Sequence, residues 1–392
     1  MPFALVMNIL GIETSADETG VSLIEATGDF GSGFTFKVRG NAVLSQMKVH
    51  AEYGGIFPNI AKREHQRALV PVLSETLNQA GELSLDPTID EKQIKAVKDM
   101  LEREPDLAFQ FEQFLRNHGK PAVDCIAVTH GPGLEPALWV GVNFARALSY
   151  VWNVPIVPVN HMEGHIMLST VQDGALASFE FPLLSLLISG GHTELQLSRE
   201  WMQYELLGAT RDDAIGEAFD KAARLLGLPY PGGPQISRLA KVAREKNTPR
   251  TVELPRPMMH TADFEFSFAG LKTAVRRIVE TNQPLSEDMK LDIAREFENA
   301  AADVLVAKTM RAIEEKSVQT VLVGGGVSAN THIRAELARA IEKRGLGTTL
   351  LIPPPELATD NGLMIALSGY FHALKKEFAE PETIRANGNL EL

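Results

Sequence analysis

"NILGIETSADETGVSLIEA", residues 8–26, runs from an apolar strand through a polar loop into an alternating strand. That pattern predicts a β-hairpin with small and polar residues at its tip. "FPLLSLLISGGHTELQLSR" (181–199) repeats the plan about 170 residues later. Identity between the two segments is slight, so they suggest a duplicated architecture without showing a sequence repeat.

Strand–loop–helix material follows each hairpin. "DCIAVTHGPGLEPALWVGVNFARALSYVW" (124–152) reads as strand, Gly-Pro turn and helix. "VQTVLVGGGVSANTHIRAELARAIEKR" (318–344) reads as strand, triple glycine, Ser/Asn cap and helix. Alternating strands and helices in both halves predict an α/β protein with a mostly parallel sheet in each, and a ligand cleft between them. The division is placed at 166/167, between "VPIVPVNH" and Phe181. Residues 81–120 are charged, lack glycine between Gly81 and Gly119, and show helical spacing in "IKAVKDML" and "LAFQFEQFL". They predict a helical insertion at the edge of the first domain, either a partner surface or a solvated decoration.

The 392 residues suit two domains, and 44% hydrophobic with 22% charged residues is the balance of a soluble globular chain. No apolar run approaches the roughly 20 residues of a membrane helix. "MPFALVMNILGIET" lacks a basic region and a small-residue cleavage site, so a cytoplasmic protein without membrane partners is expected. A single cysteine, Cys125, excludes an internal disulfide and a cysteine-rich zinc site, and its apolar setting reads as a buried thiol. A net charge of −12 argues against gripping nucleic acid through the whole surface but leaves room for a local basic patch. "AKREHQR" (61–67) and "KTAVRRI" (272–278) concentrate basic residues, although a solvated helix face accounts for each alone.

Several stretches carry side chains suited to chemistry. Gly324, Gly325 and Gly326 let backbone amides approach an anion, with Ser328 or Asn330 capping the next helix; a tight turn explains them equally. No Walker lysine is present. Ser189, Gly190, Gly191, His192 and Thr193 crowd hydrogen-bonding groups onto the second hairpin tip. Asp213, Glu217 and Asp220 fall on one helical face ahead of Tyr230-Pro231-Gly232-Gly233-Pro234, an arrangement that fits a nucleoside or a solvated acidic stripe. Glu13, Asp17 and Glu18 repel one another unless a cation or proton sits nearby. Exposure, or a general-base or metal–phosphate role, fits them. His161 and His165 lie four apart, a spacing that suits a shared metal, with Asp360 as a candidate third ligand and a possible N-cap. On spacing alone that trio is one grouping among several.

Nine motifs in order resemble the tRNA adenosine threonylcarbamoyltransferase family, the TsaD-type proteins once called glycoprotease-like. They are "LGIETSADETGVSL", "HAEYGGIFPNIAKREHQRALVPVL", "THGPGLEPALWVGVNFARAL", "PVNHMEGHI", "LLISGGHTEL", "YELLGATRDDAIGEAFDKAARLLGLPYPGGP", "FSFAGLKTAVRR", "GGGVSANTHIR" and "ATDNGLMIA". The resemblance spans nearly the whole chain. It implies an α/β fold of two actin/Hsp70-like (ASKHA) domains flanking a nucleotide cleft, here 1–166 and 167–392, with the last helix a candidate to pack back on the first. It implies transfer of the threonylcarbamoyl group from threonylcarbamoyl-AMP to the N6 amine of the adenosine 3′ of the anticodon, in tRNAs reading codons that begin with A, with release of AMP. His161, His165 and Asp360 would then hold one divalent metal, iron or else zinc. Leu187, Ile188, Ser189, Gly190 and Gly191 would line the substrate, and Asp220, Gly233 and Asn330 the adenylate. Glu13, Asp17 or a metal-linked water is the candidate to take the proton. An inactive paralogous subunit and a small ATPase are the implied partners beside tRNA.

Ala16 departs from the family's usual cysteine, Glu135-Pro136 from its small residues, and the insertion lengthens the first domain. A metalloprotease would need a glutamate beside His161. A sugar or acetate kinase would need ATP turnover by this chain alone, and an inactive paralogue would lose the metal set.

Overall fold

A computed structural model describes residues 6–87 and 89–392; the first five residues of the N-terminal lead-in and Thr88 of the insertion lie outside them. Two compact units result. The first comprises 1–50, 56–177 and 360–392, and the second 51–55 and 178–359. The contiguous division expected at 166/167 therefore shifts. Residues 171–176 form a small ribbon joined to the first sheet, and the chain returns to the first unit at Asp360.

In the first unit, β1 (Met7–Glu13), β2 (Glu18–Thr27) and β3 (Thr35–Ser45) are antiparallel neighbours, and β4 (Cys125–Gly131) and β5 (Ile156–Asn160) join β1 in parallel. The short strands β6 (Val171–Gln172) and β7 (Ala175–Leu176) extend the edge, giving the order β5-β4-β1-β2-β3-β7-β6. In the second unit, β8 (Leu183–Ile188), β9 (Thr193–Ser198) and β10 (Glu205–Ala209) are antiparallel, while β11 (Thr320–Gly324) and β12 (Thr349–Leu351) run parallel to β8. Its order, β10-β9-β8-β11-β12, repeats the first unit's β3-β2-β1-β4-β5. The duplicated plan is thus present in the topology where identity is too low to carry it. Both sheets are mixed rather than mostly parallel, because each opening hairpin adds antiparallel strands before the crossovers begin.

Residues 81–120 form helices Glu91–Met100 and Pro105–Asn117. Asp90 and Gln93 make a reciprocal capping box at the first. The insertion is more than a solvated decoration: Ile94, Val97, Leu107 and Phe111 are buried in the first unit's core, and the Phe111 ring meets Phe144 edge-on at 5.1 Å.

Helix Gly362–Leu374 lies against β1, β2, β4 and β5. Glycine makes this approach possible. A Cβ on Gly11 would sit 2.2 Å from the Gly362 carbonyl oxygen, and one on Gly369 would sit 2.2 Å from the Ala127 Cβ. Helix Pro58–Ala80 also packs on β2 and β3, and is tied to the β1–β2 loop by buried His65. Nδ1 of His65 is 2.7 Å from the Thr19 hydroxyl and Nε2 is 3.0 Å from the Ala16 carbonyl, so Nε2–H donates and Nδ1 accepts. Burial pushes its pKa down to about 4. The folded state therefore stays neutral while the unfolded chain takes a proton. Stability is complete above pH 6.5 and is lost as the pH falls toward 4, by about 2 kcal/mol at pH 5. Urea melts at pH 7 and pH 5 should show this loss in the wild type and not in His65→Gln.

Candidate metal centre

Three parallel strands deliver the centre at their carboxyl ends. β1 ends on Glu13, β4 carries Thr129, and β5 leads directly into helix His161–Ser169. Asn160 caps that helix, accepting from the Met162 and Glu163 amides at 2.8 and 3.4 Å. His161 and His165 then project one turn apart, their ring centroids 4.8 Å apart and nearly perpendicular. Asp360 comes from the start of helix Gly362–Leu374. Asn361, not Asp360, caps this helix by accepting from the Met364 amide at 3.1 Å, which corrects the capping role expected of Asp360.

One ligand atom from each of His161, His165 and Asp360 can be chosen so that all lie within 4.8 Å of one another. Asp360 Oδ1 is 3.2 Å from His165 Nε2 and 3.6 Å from His161 Nε2, close to the donor spacing of about 3 Å around a small cation. His165 Nε2 is buried and, despite that short distance, has no hydrogen bond. A buried nitrogen in that state wants another partner, and two imidazoles with one carboxylate suit iron or zinc. The residues fit such a cation.

The electrostatics point the same way. Glu13 is fully buried; its Oε1 accepts from the Ser15 amide and its Oε2 from the Thr129 hydroxyl, both at 2.5 Å, and Oε2 lies 3.2 Å from His161 Nδ1. Burial raises its pKa, but His161 outweighs burial and holds the carboxyl below its ordinary value. Burial likewise opposes charge on His161, yet Asp360 and Glu13 raise it to about 9. The site therefore attracts one positive charge. Burial also raises Asp17, and burial with Asp17 beside it pushes Glu18 up to about 10, so this acid pair carries the proton its crowding demands.

Glu163, between the two histidines in sequence, is buried and turned away from them. Its Oε2 accepts from Ser368 Oγ at 2.7 Å and from His372 Nε2 at 2.6 Å, while His372 Nδ1 donates to Glu377 at 2.5 Å. This clamp joins the histidine helix to the helix that follows Asp360. Sequence reasoning missed Ser368 and His372; their i, i+4 spacing on one helix was the available signal, but it names no partner.

The expected substrate residues gather in the second unit. Leu187 and Ile188 end β8, and Leu187 pairs with Gly324 of the triple glycine. Gly325 has φ 87°, and a Cβ there would meet the Ile188 carbonyl oxygen at 2.5 Å, so it serves close strand packing. Gly190 and Gly191 face open space. The Ser189 hydroxyl accepts from the Gly191 and His192 amides at 3.3 and 3.1 Å. Asp220 Oδ1 accepts from the Gly232 amide at 2.6 Å, fixing the start of helix Gly232–Glu245, which also carries Gly233. From the same helix, Ser237 accepts at 2.8 Å from the amide of Asn330, whose own oxygen caps helix Thr331–Arg344. The single acidic face expected of Asp213, Glu217 and Asp220 divides: Asp213 and Glu217 pair with Lys221, whereas Asp220 holds the glycine turn.

The family model described as "TsaD: tRNA N6-adenosine threonylcarbamoyltransferase" matches residues 37–89 and 112–367. The chain is 40% identical over 379 residues to the tRNA N6-adenosine threonylcarbamoyltransferase of Chromobacterium violaceum, covering 96% of this chain and 95% of that one. It belongs to the tRNA N6-adenosine threonylcarbamoyltransferase family. A family member from Ralstonia pickettii is 42% identical over 367 residues, covering 93% of this chain and 90% of its own. Among solved structures, full-length HypF in a phosphate- and nucleotide-bound form shares the fold, with a TM-score of 0.51 at 11% identity over 95% of this chain and 48% of that one. The threonylcarbamoyltransferase family model skips 90–111, where the insertion's helices begin. No helix among the described residues is long and apolar enough to cross a membrane.

Proposed function

We propose that this chain transfers a threonylcarbamoyl group from threonylcarbamoyl-AMP to the N6 amine of the adenosine 3′ of the anticodon, in tRNAs that read codons beginning with A. The reading is carried by the convergence of His161, His165 and Asp360 in a chain of this family. The amine nitrogen forms a bond to the carbamoyl carbon, the bond from that carbon to the phosphate oxygen breaks, and AMP leaves. His161, His165 and Asp360 would hold a divalent cation, Fe2+ or alternatively Zn2+, which would supply positive charge as the departing phosphate gains negative charge.

The chain's own residues hold and aim the site. Glu13 accepts from His161 Nδ1, so Nε2 is left as the ligand atom. This is the carboxylate–histidine arrangement that orients metal ligands, and it gives Glu13 a positioning role in place of the base first considered for it. Glu13→Gln should weaken metal affinity about 10- to 100-fold while the protein stays folded, as read by chelator competition. Asp17, its carboxyl held above the ordinary range by burial, remains the candidate to accept the amine's proton. Leu187 to Gly191 are assigned to the acyl portion and Asp220, Gly233 and Asn330 to the adenylate, supported by their gathering around the carboxyl ends of β8 and β11.

A protease reading is disfavoured by Glu163, which is committed to Ser368 and His372 and does not face the histidines. An inactive paralogue, a small ATPase and a cytoplasmic setting complete the proposal. It is tested by incubating the purified chain with tRNA, threonylcarbamoyl-AMP and Fe2+ or Zn2+, with and without such partners, then digesting the tRNA for mass analysis. Absence of the modified nucleoside in every combination contradicts it.

A further inference from the structure

The basic run "KTAVRRI" belongs to helix Ala269–Thr281, which buries Leu271, Val275 and Val279 in the second unit's core. Its outer face meets helix Ile215–Leu225 around an open cavity of about 290 Å³. Lys221, Arg224, Leu225, Lys272 and Arg276 line it. Four of these five residues are cationic and none is acidic, in a chain of net charge −12.

Acids outside the lining hold the lysines in place. Asp213 lies 2.7 Å from Lys221 and 3.4 Å from Lys272, and Glu217 is 2.8 Å from Lys221. Among the described residues, Arg276 has only Glu280 at 3.9 Å and is 58% exposed, leaving its guanidinium available to an incoming anion. Arg224 donates to the Gly54 carbonyl. The other basic run, "AKREHQR", differs. Arg63 and Arg67 are matched by Glu64 and Asp106 on their own surface, and Lys62 by Glu104. The second run, "KTAVRRI", lines a cavity with an excess of positive charge.

We propose that this pocket docks the phosphodiester backbone of tRNA. The inference rests on tRNA being the acceptor. A predominantly acidic protein repels a polyanion over most of its surface, so binding concentrates where cations are grouped and positioned. Such contacts set position and orientation and carry no base sequence. Elongated acceptors are thereby held by their backbone while a single adenosine reacts.

The test compares wild type with Lys272→Glu/Arg276→Glu, binding an unmodified tRNA transcript over a range of salt. The double variant should bind at least about tenfold more weakly at moderate salt, and its slope of log K against log salt should fall by about 2, one for each lost phosphate contact. Lys272→Ala/Arg276→Ala should lie between the two, and Lys343→Glu/Arg344→Glu, an equal charge change on another helix, should bind as wild type. Bound metal and thermal midpoint serve as folding controls. Equal affinity and slope in wild type and double variant, with wild type still modifying tRNA, overturns the docking site and leaves the proposed reaction standing. Failure of wild type to bind or modify tRNA instead removes the reading on which the docking site rests.

Discussion

His161→Ala is expected to lower threonylcarbamoyl transfer on the order of 10³-fold or more, without unfolding the protein. The side chain joins two parts of the account: Nε2 faces Asp360 at 3.6 Å, and Nδ1 meets Glu13 at 3.2 Å. Truncation removes a ligand atom and leaves the buried Glu13 carboxylate without its Nδ1–H donor. Excess metal should not restore the rate, because His165 and Asp360 alone make a two-donor site. Measuring kcat/KM with saturating metal, alongside circular dichroism, checks this. Retention of activity within tenfold of wild type would remove the histidine from the mechanism.

Gly11→Ala is expected to cost at least about 3 kcal/mol of stability, and to loosen the metal site in the variant that remains folded. The added methyl would meet the Gly362 carbonyl oxygen at 2.2 Å, the Ala366 amide nitrogen at 2.5 Å and the Ala366 Cβ at 2.8 Å. Two of these three atoms are backbone, so no side chain can rotate aside. Relief requires helix Gly362–Leu374 to move off the sheet, and Asp360 lies two residues before that helix begins. Stability and metal affinity should therefore fall together. Chemical denaturation and metal titration on the same preparation test the link, and a variant with wild-type values in both would refute it.

The difference between these two residues shows what a sequence alone can reveal. The histidine spacing is visible in "HMEGH" because a helix turn has a fixed period, and the hairpins are visible because strands alternate. Both signals are local. Asp360 lies 195 residues from His165, and no local period connects them; the family resemblance supplied the grouping that spacing left open. Gly11 looked like part of a strand, since the helix that demands its missing side chain comes from the far end of the chain. Glu13 was read as a base because acids in a loop are often free to act. Its two oxygens are instead taken by Ser15 of the same loop and by Thr129 and His161 from two further segments. The insertion's amphipathic helices were legible, but their burial against Phe144 and its neighbours was not.

The most direct measurement is the metal content of the purified chain, by elemental mass spectrometry after equilibration with Fe2+ under anaerobic conditions or with Zn2+, beside His161→Ala, His165→Ala and Asp360→Ala. One cation per chain in the wild type, with each substitution reducing it toward zero while the fold is kept, is the result expected. A wild type that retains no cation, or three variants that retain it undiminished, would show that these side chains do not form a metal centre.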